Sequence, residues 1–172
     1  MQRLFLKTDR LLLRYISQDD FNEIKSMLQD NEVMYAWEHD FSNQDVQAWI
    51  DRNLKSYAEY NLGFFLLEQK FTGEIIGQAA LEPDTINGQK YYEIGYILKK
   101  DYWHSGYAYE AAKHLIDYAF NSLNLKEVIF EIRPNNLSSR KVAEKLNAKI
   151  SGEFFKKVNS RQMLHLIYKL SR

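Results

Sequence analysis

The chain has 172 residues, 45% of them hydrophobic, and Lys+Arg and Asp+Glu both number 23, so it carries no net charge. That length suits one domain spanning 1–172 around one sizeable core, while the balanced charge gives no basic surface for nucleic acid and no run of 18 apolar residues offers a membrane span. With no cysteine there is no disulfide, no thiolate nucleophile and no Cys metal site, and the N-terminus MQRLFLKTDR lacks the apolar centre of a signal peptide, so a cytoplasmic location is expected.

Arg10–Ile16 (RLLLRYI) reads as the first strand. Ser17, with Asp20 three residues on, has the spacing of a capping box. The helix it opens carries Phe21, Ile24, Met27 and Leu28 on one face. Ser42 and Asp45 repeat the pattern before a second helix whose apolar stripe is Val46, Trp49, Ile50 and Leu54. Residues 62–69 and 74–82 are apolar runs joined at Thr72-Gly73, a hairpin. Asn87-Gly88 marks a turn before a strand at 91–98. A helix over 107–122 buries Ala111, Ala112, Leu115, Ile116 and Ala119. A strand at 126–132, a short helix at 138–146 and a hairpin of 149–157 with 162–170 close the chain. Asn147 stands where a helix usually ends on glycine, and asparagine tolerates the left-handed conformation needed there. The order is β-α-α-β-β-β-α-β-α-β-β, a mixed α+β sheet of seven strands with about four helices.

Residues 98–114, LKKDYWHSGYAYEAAKH, carry the strongest functional signal. A strand breaks into a polar loop that passes through Gly106 and feeds a helix. The first N–H groups of that helix lack partners, and its dipole is positive there, so the junction suits a phosphate or pyrophosphate. Glycine lets a ligand approach the backbone. The loop has neither the Lys-Ser/Thr of a P-loop nor a GxGxxG fingerprint, which argues against a nucleotide-binding regulator.

A second segment, Pro134–Asn147 (PNNLSSRKVAEKLN), follows a strand later. Together the two resemble the GNAT superfamily of acyl-CoA-dependent N-acyltransferases. The superfamily's Q/R-x-x-G-x-G/A loop stands here as Trp103-His104-Ser105-Gly106-Tyr107-Ala108. The form W-x-x-G-Y-A-x-E-A is similar to the branch of the bacterial ribosomal-protein (Rim-type) N-acetyltransferases. Pro134, Asn136, Ser139, Val142, Glu144, Lys145 and Leu146 match the downstream motif, and Thr8–Arg14 (T-D-R-L-x-L-R) resembles the opening of that branch. The likeness covers nearly the whole chain and is more specific for fold than for substrate. It implies a mostly antiparallel sheet whose fourth and fifth strands splay apart to admit the cofactor's pantetheine arm.

The resemblance also implies roles. Acetyl-CoA is the co-substrate, and no metal is expected. Backbone N–H groups from His104 to Ala108 would hold its pyrophosphate, and Ile97 and Leu98 would pair with the pantetheine amides as a false strand. Asn136 would bond the arm, and Ser139 would sit near the sulfur, orienting it more than protonating it. Either could instead only cap the helix. Many relatives place an acidic tyrosine in this helix where Ala143 stands, so that acid is missing. Without cysteine, direct attack of the amine on the thioester in a ternary complex is the expected route.

The general base is Glu131 or Glu93, each a strand carboxylate that a cleft could raise in pKa, and each equally readable as a cross-strand pair. His104 is poorly placed for a base, and His165 reads as structural. Tyr35, Trp37 and Glu38, with His39, form a candidate contact for a cationic acceptor. The acceptor is a primary amine, on a protein N-terminus or a small molecule. A non-catalytic acyl-CoA-binding module is the alternative. Dimers are frequent in proteins similar to this one, so a homodimer is a further partner, although the sequence displays no interface.

Overall fold

The computed structural model describes residues 3–172, so the first two residues of the N-terminus lie outside it. In chain order it contains β1 (Leu4–Lys7), β2 (Leu11–Tyr15), a 3-10 turn (Gln18–Asp20), α1 (Phe21–Leu28) and α2 (Asn43–Tyr60). There follow β3 (Gly63–Gln69), β4 (Ile75–Ile86), β5 (Gln89–Leu98), a second 3-10 turn (Lys100–Tyr102) and α3 (Tyr107–Asn121). The chain closes with β6 (Glu127–Ile132), α4 (Leu137–Lys145), β7 (Lys149–Val158) and β8 (Arg161–Ser171).

The strands form one sheet in the order β1-β2-β3-β4-β5-β6-β8-β7, eight strands where the sequence pattern gives seven. The extra strand is β1, which runs antiparallel to β2. It escapes a periodicity search because four residues are too short to show alternation. Thr8-Asp9-Arg10 is therefore the turn between two strands: Thr8 N–H donates to the Leu11 carbonyl at 2.9 Å, and Leu11 N–H returns a 2.9 Å bond to Thr8 Oγ1.

Local chemistry places the remaining elements close to where the pattern puts them. Both capping boxes form; at the second, Ser42 Oγ accepts Asp45 N–H at 3.2 Å while Asp45 accepts Ser42 N–H at 2.8 Å. Asn87 and Gly88 both have positive φ, 49° and 82°, as the tight two-residue hairpin turn requires. That turn lets β4 and β5 stay paired for ten residues each, so both strands reach farther than the apolar runs 74–82 and 91–98 suggest. Asn147 takes φ 67° and ends α4.

Alternation along the strands sorts residues to two faces. Ile94 on β5 and Val128, Phe130 and Ile132 on β6 join the core beneath α3, with Ala111, Ala112, Leu115 and Ala119. Ile97 on β5 joins a second core with Ile24, Met27, Val46 and Ile50 from α1 and α2. Hence Glu93, Gly95 and Ile97 face α1 and α2, while Ile94, Tyr96 and Leu98 face α3.

One seam breaks the regular sheet. β5 and β6 are parallel and share a single paired position, Glu93 opposite Ile129. Beyond it, from Ile94 to Leu98, β5 has no partner on that side. These are the fourth and fifth strands of the sequence pattern, and their splaying is as expected.

Candidate active site

The seam feeds two cavities. On the α3 and α4 side lies a groove of about 670 Å³, lined by Ile97, Leu98, Trp103, His104, Gly106, Tyr107, Ala108, Asn136, Ser139 and Tyr35, among others. On the other side lies a cavity of about 140 Å³ whose lining includes Glu93, Glu131, Arg133, Lys156, Phe130 and Met163. Ala36, Trp37, Tyr96, Asn136 and Ser139 border both. The two spaces therefore meet beside the first turn of α4.

The upper end of the groove is the start of α3. Gly106 caps this helix in the left-handed region at φ 80° and has no side chain to satisfy the free N–H groups behind it. Those donors face the groove with nothing bonded to them but what binds there. His104 is also left-handed, at φ 60°. Trp103 anchors the loop by donating its indole N–H to the Leu98 carbonyl at 2.9 Å. That bond occupies the carbonyl of Leu98, one of the two residues expected to pair with a pantetheine arm, while Ile97 is paired with Gln78 of β4. Ser105 does not line the groove; its carbonyl accepts Arg10 Nη1 at 2.9 Å.

Arg10 links this loop to the β1–β2 turn. Glu110, on the first turn of α3, accepts Thr8 Oγ1 at 2.5 Å, Arg10 N–H at 2.8 Å and Arg10 Nε at 2.6 Å. The Arg10 guanidinium also lies 4.1 Å from the centre of the Tyr107 ring. The two sequence signatures, T-D-R and G-Y-A-x-E, are thus halves of one clamp. Burial pushes the Glu110 carboxyl up, but the bonds from Thr8 and Arg10 outweigh it and hold it below its ordinary range. Its charge therefore stabilises the fold above that range, and the contribution is lost as pH falls into acid. Glu110→Gln is expected to lower unfolding free energy at pH 7 by about 1–2 kcal/mol, limited by the partial exposure of Arg10. Urea midpoints at pH 7 and pH 4 check this, the difference between variant and parent narrowing at the lower pH.

At the junction, Asn136 is the N-cap of α4: its Oδ1 accepts Ser139 N–H at 3.2 Å and Tyr35 OH at 2.8 Å. The capping role weighed in the sequence falls to Asn136, and its amide NH2 has no bond among the described residues. Tyr96, not singled out in the sequence, donates its hydroxyl to the Ser139 carbonyl at 2.9 Å and fixes this turn against β5. Burial pushes its phenol up, so it stays protonated. Ala143, where the resemblance leads one to look for a tyrosine, is fully buried.

The smaller cavity holds a charged cluster. Carboxylate oxygens of Asp84, Glu93 and Glu131 lie within 4.8 Å of one another. They come from β4, β5 and β6, so no local spacing could reveal the grouping. Lys156 on β7 donates to Glu131 Oε2 at 2.8 Å and lies 3.8 Å from Asp84, supplying the cation. Glu131 Oε1 is buried with no donor. Burial, then the neighbouring Asp84 carboxyl, pushes Glu131 up to about 7. Burial and the Glu131 charge push Glu93 well above the ordinary range, whereas Asp84 stays low because Glu131 and Lys156 bond and face it, which outweighs its own burial. Two carboxyl groups of the cluster are thus pushed up, Glu131 to about 7, while the third is held low.

The acceptor residues expected from the sequence separate. Tyr35 lines the groove and Trp37 borders both spaces, but Glu38 lines neither; its carboxylate lies 3.5 Å from Arg133. His39 pairs with Asp45 at 3.6 Å, away from both spaces. His165 does border the smaller cavity, its Nδ1 2.9 Å from the Met163 carbonyl, and burial lowers its pKa. Lys156 and Arg133 were legible in principle. Arg133 is two residues past Glu131, just beyond β6, and Lys156 and Val158, two residues apart on β7, line that same cavity.

A family model described as acetyltransferase (GNAT) domain matches residues 10–149, and the chain belongs to that family of N-acetyltransferases. Among curated relatives, the uncharacterized protein YkkB of Bacillus subtilis (strain 168) is 33% identical over 142 residues, covering 82% of this chain and 83% of its own. Among solved structures, a GNAT-family acetyltransferase from Bacillus anthracis superposes with TM-score 0.81 at 24% identity over 99% of this chain and 98% of its own. The ribosomal-protein-S5-alanine acetyltransferase of Vibrio fischeri gives TM-score 0.75 at 22% identity over 99% and 96%. At these identities the two structures show the shared fold. Among the described residues no helix is long and apolar enough to cross a membrane.

Proposed function

We propose that this single domain transfers an acetyl group from acetyl-CoA to a primary amine by direct attack in a ternary complex. The observation that carries this reading is the meeting of the two spaces at Ala36, Trp37, Tyr96, Asn136 and Ser139. One space ends on unbonded helix N–H groups suited to a pyrophosphate; the other ends on Glu131, pushed up to about 7, with Glu93 beside it. A thioester lying along the unpaired edge of β5 would bring its carbonyl to that junction, within reach of an amine in the smaller cavity.

Glu131, with Glu93 beside it, is the general base, accepting the ammonium proton directly or through a water. The amine nitrogen then bonds the carbonyl carbon, the C–S bond breaks, and the surplus proton on nitrogen passes through water to the departing thiolate, which leaves beside Ser139 as the CoA thiol. Ser139 Oγ orients and hydrogen-bonds the sulfur. Ser139→Ala is expected to lower kcat by about tenfold while leaving acetyl-CoA affinity within about twofold. Equal losses in both would remove this role from Ser139.

Lys156 holds the base down in pKa. Lys156→Met should move the midpoint of the activity limb from about 7 to higher pH by about one pH unit. At pH 7 activity then falls about fivefold and returns at pH 9, which a pH profile of kcat/KM reads directly.

The test of the whole reading is acetyl-CoA affinity by calorimetry together with thiol release, with and without a pool of peptides, polyamines, amino acids and aminoglycosides. Tight binding with amine-dependent release is expected. Binding without release from any amine would instead support a non-catalytic acyl-CoA module.

A further inference from the structure

Arg133 is the one cation of the smaller cavity that the reaction above leaves without a task. It follows β6 immediately, on the same strand face as Glu131. Its Nη1 is taken: it donates to the Ala36 carbonyl at 3.2 Å and lies 3.5 Å from Glu38. Its Nε is buried and has no partner, and Nη2 has none among the described residues. Nε and Nη2 together form the side-on edge of a guanidinium, the two parallel donors that match the two oxygens of a carboxylate. A buried donor left unpaired is costly, so an unbonded edge on a residue that lines a cavity is suited to an anion that arrives with the substrate.

Three features limit what that anion can be. Arg133 and Glu131 are two residues apart on one strand, about 7 Å along it. An amine at the base and a carboxylate at the guanidinium must therefore belong to a compact molecule. The cavity measures about 140 Å³, which suits a compact acceptor. Its remaining walls include Trp37, Phe130 and Met163, which suit an apolar side chain. A peptide N-terminus brings the amine but carries its terminal carboxylate far away.

We propose that Arg133 binds the acceptor's carboxylate through its Nε–Nη2 edge, so that the acceptor is a free amino acid or a close analogue. This rests on the acetyltransfer reading and sharpens its acceptor class. Glu38 and the Ala36 carbonyl then act as a brace: they hold Nη1 and turn the open edge of Arg133 toward the cavity.

The test uses the full chain and acetyl-CoA, following thiol release with the twenty amino acids and, in parallel, with their C-terminal amides. At least one amino acid should be used with kcat/KM at least about tenfold above its amide, the value of one charge-assisted pair of bonds. Arg133→Gln should erase that difference while KM for acetyl-CoA stays unchanged, and Arg133→Lys should restore part of it. If Arg133→Gln does not fold, the comparison of acid with amide on the parent protein decides the matter alone. Amides used as well as acids would overturn the proposal, and so would peptides with an acidic first residue as the preferred acceptors, or an Arg133→Gln variant that lowers every acceptor alike. Release with polyamines or peptides but with no amino acid overturns this inference and leaves acetyl transfer standing. Release with no amine at all brings down both.

Discussion

Replacing Glu131 with glutamine is expected to lower kcat by about 10²–10⁴-fold, the usual contribution of a positioned general base. Acetyl-CoA affinity should not change, because Glu131 lies on the far side of the sheet from the groove. The sign of the pH dependence follows from its pKa, pushed up to about 7 by burial and by Asp84. A base works only when deprotonated, so parent activity should rise as pH climbs through about 7, and Glu131→Gln should abolish that limb. Glu93 complicates the reading in a useful way. It too is raised, well above the ordinary range, by burial and then by the charge of Glu131 itself. In the glutamine variant that charge is gone, so Glu93 should titrate at lower pH than before. A residual limb that vanishes only in the double variant would assign the proton to the pair; a single variant with full activity at every pH would remove Glu131 from the chemistry.

The second large effect is at Gly106. Gly106→Val puts a β-branched side chain at φ 80°, a conformation such residues avoid. The space itself is not the obstacle, since an added Cβ would meet Arg10 Nη2 at 3.4 Å, an ordinary contact. The obstacle is backbone strain, which would turn the N–H groups of Tyr107 and Ala108 out of line, and a side chain standing where an anion must approach. Losing two charge-assisted bonds weakens acetyl-CoA binding by about 10²–10⁴-fold. Calorimetry measures it, and Gly106→Ala, with less bulk, should fall between. An affinity unchanged in Gly106→Val would mean that the pyrophosphate lies elsewhere.

Much of the scaffold was readable because its signals are local. Capping boxes, the Asn87-Gly88 turn and the apolar runs of β3 and β4 joined at Thr72-Gly73 are each written within a dozen or so residues. So was the candidate anion site at the start of α3, which needs only a loop, a glycine and a helix. The strand at Leu4–Lys7 was hidden because its pairing, not its composition, defines it. The acid cluster was half visible: Glu93 and Glu131 stand out on their strands, but Asp84 and Lys156 join them only through the register of four strands. Glu38 shows the opposite failure. Its neighbours suggested a cation contact, while the fold spends its charge on Arg133, 95 residues away, a distance across which no sequence pattern operates.

The lone rung between Glu93 and Ile129 bears on mechanics as well as on access. A sheet cut almost through behaves as two plates joined along a narrow hinge, one built from β1 to β5 and the other from β6 to β8. An extended ligand lying in the slot becomes a splint between them, tying amides on the exposed edge of β5 to α4. Occupancy and rigidity are then linked: whatever fills the slot sets the distance between Asp84 and Glu93 on one plate and Glu131 and Ser139 on the other.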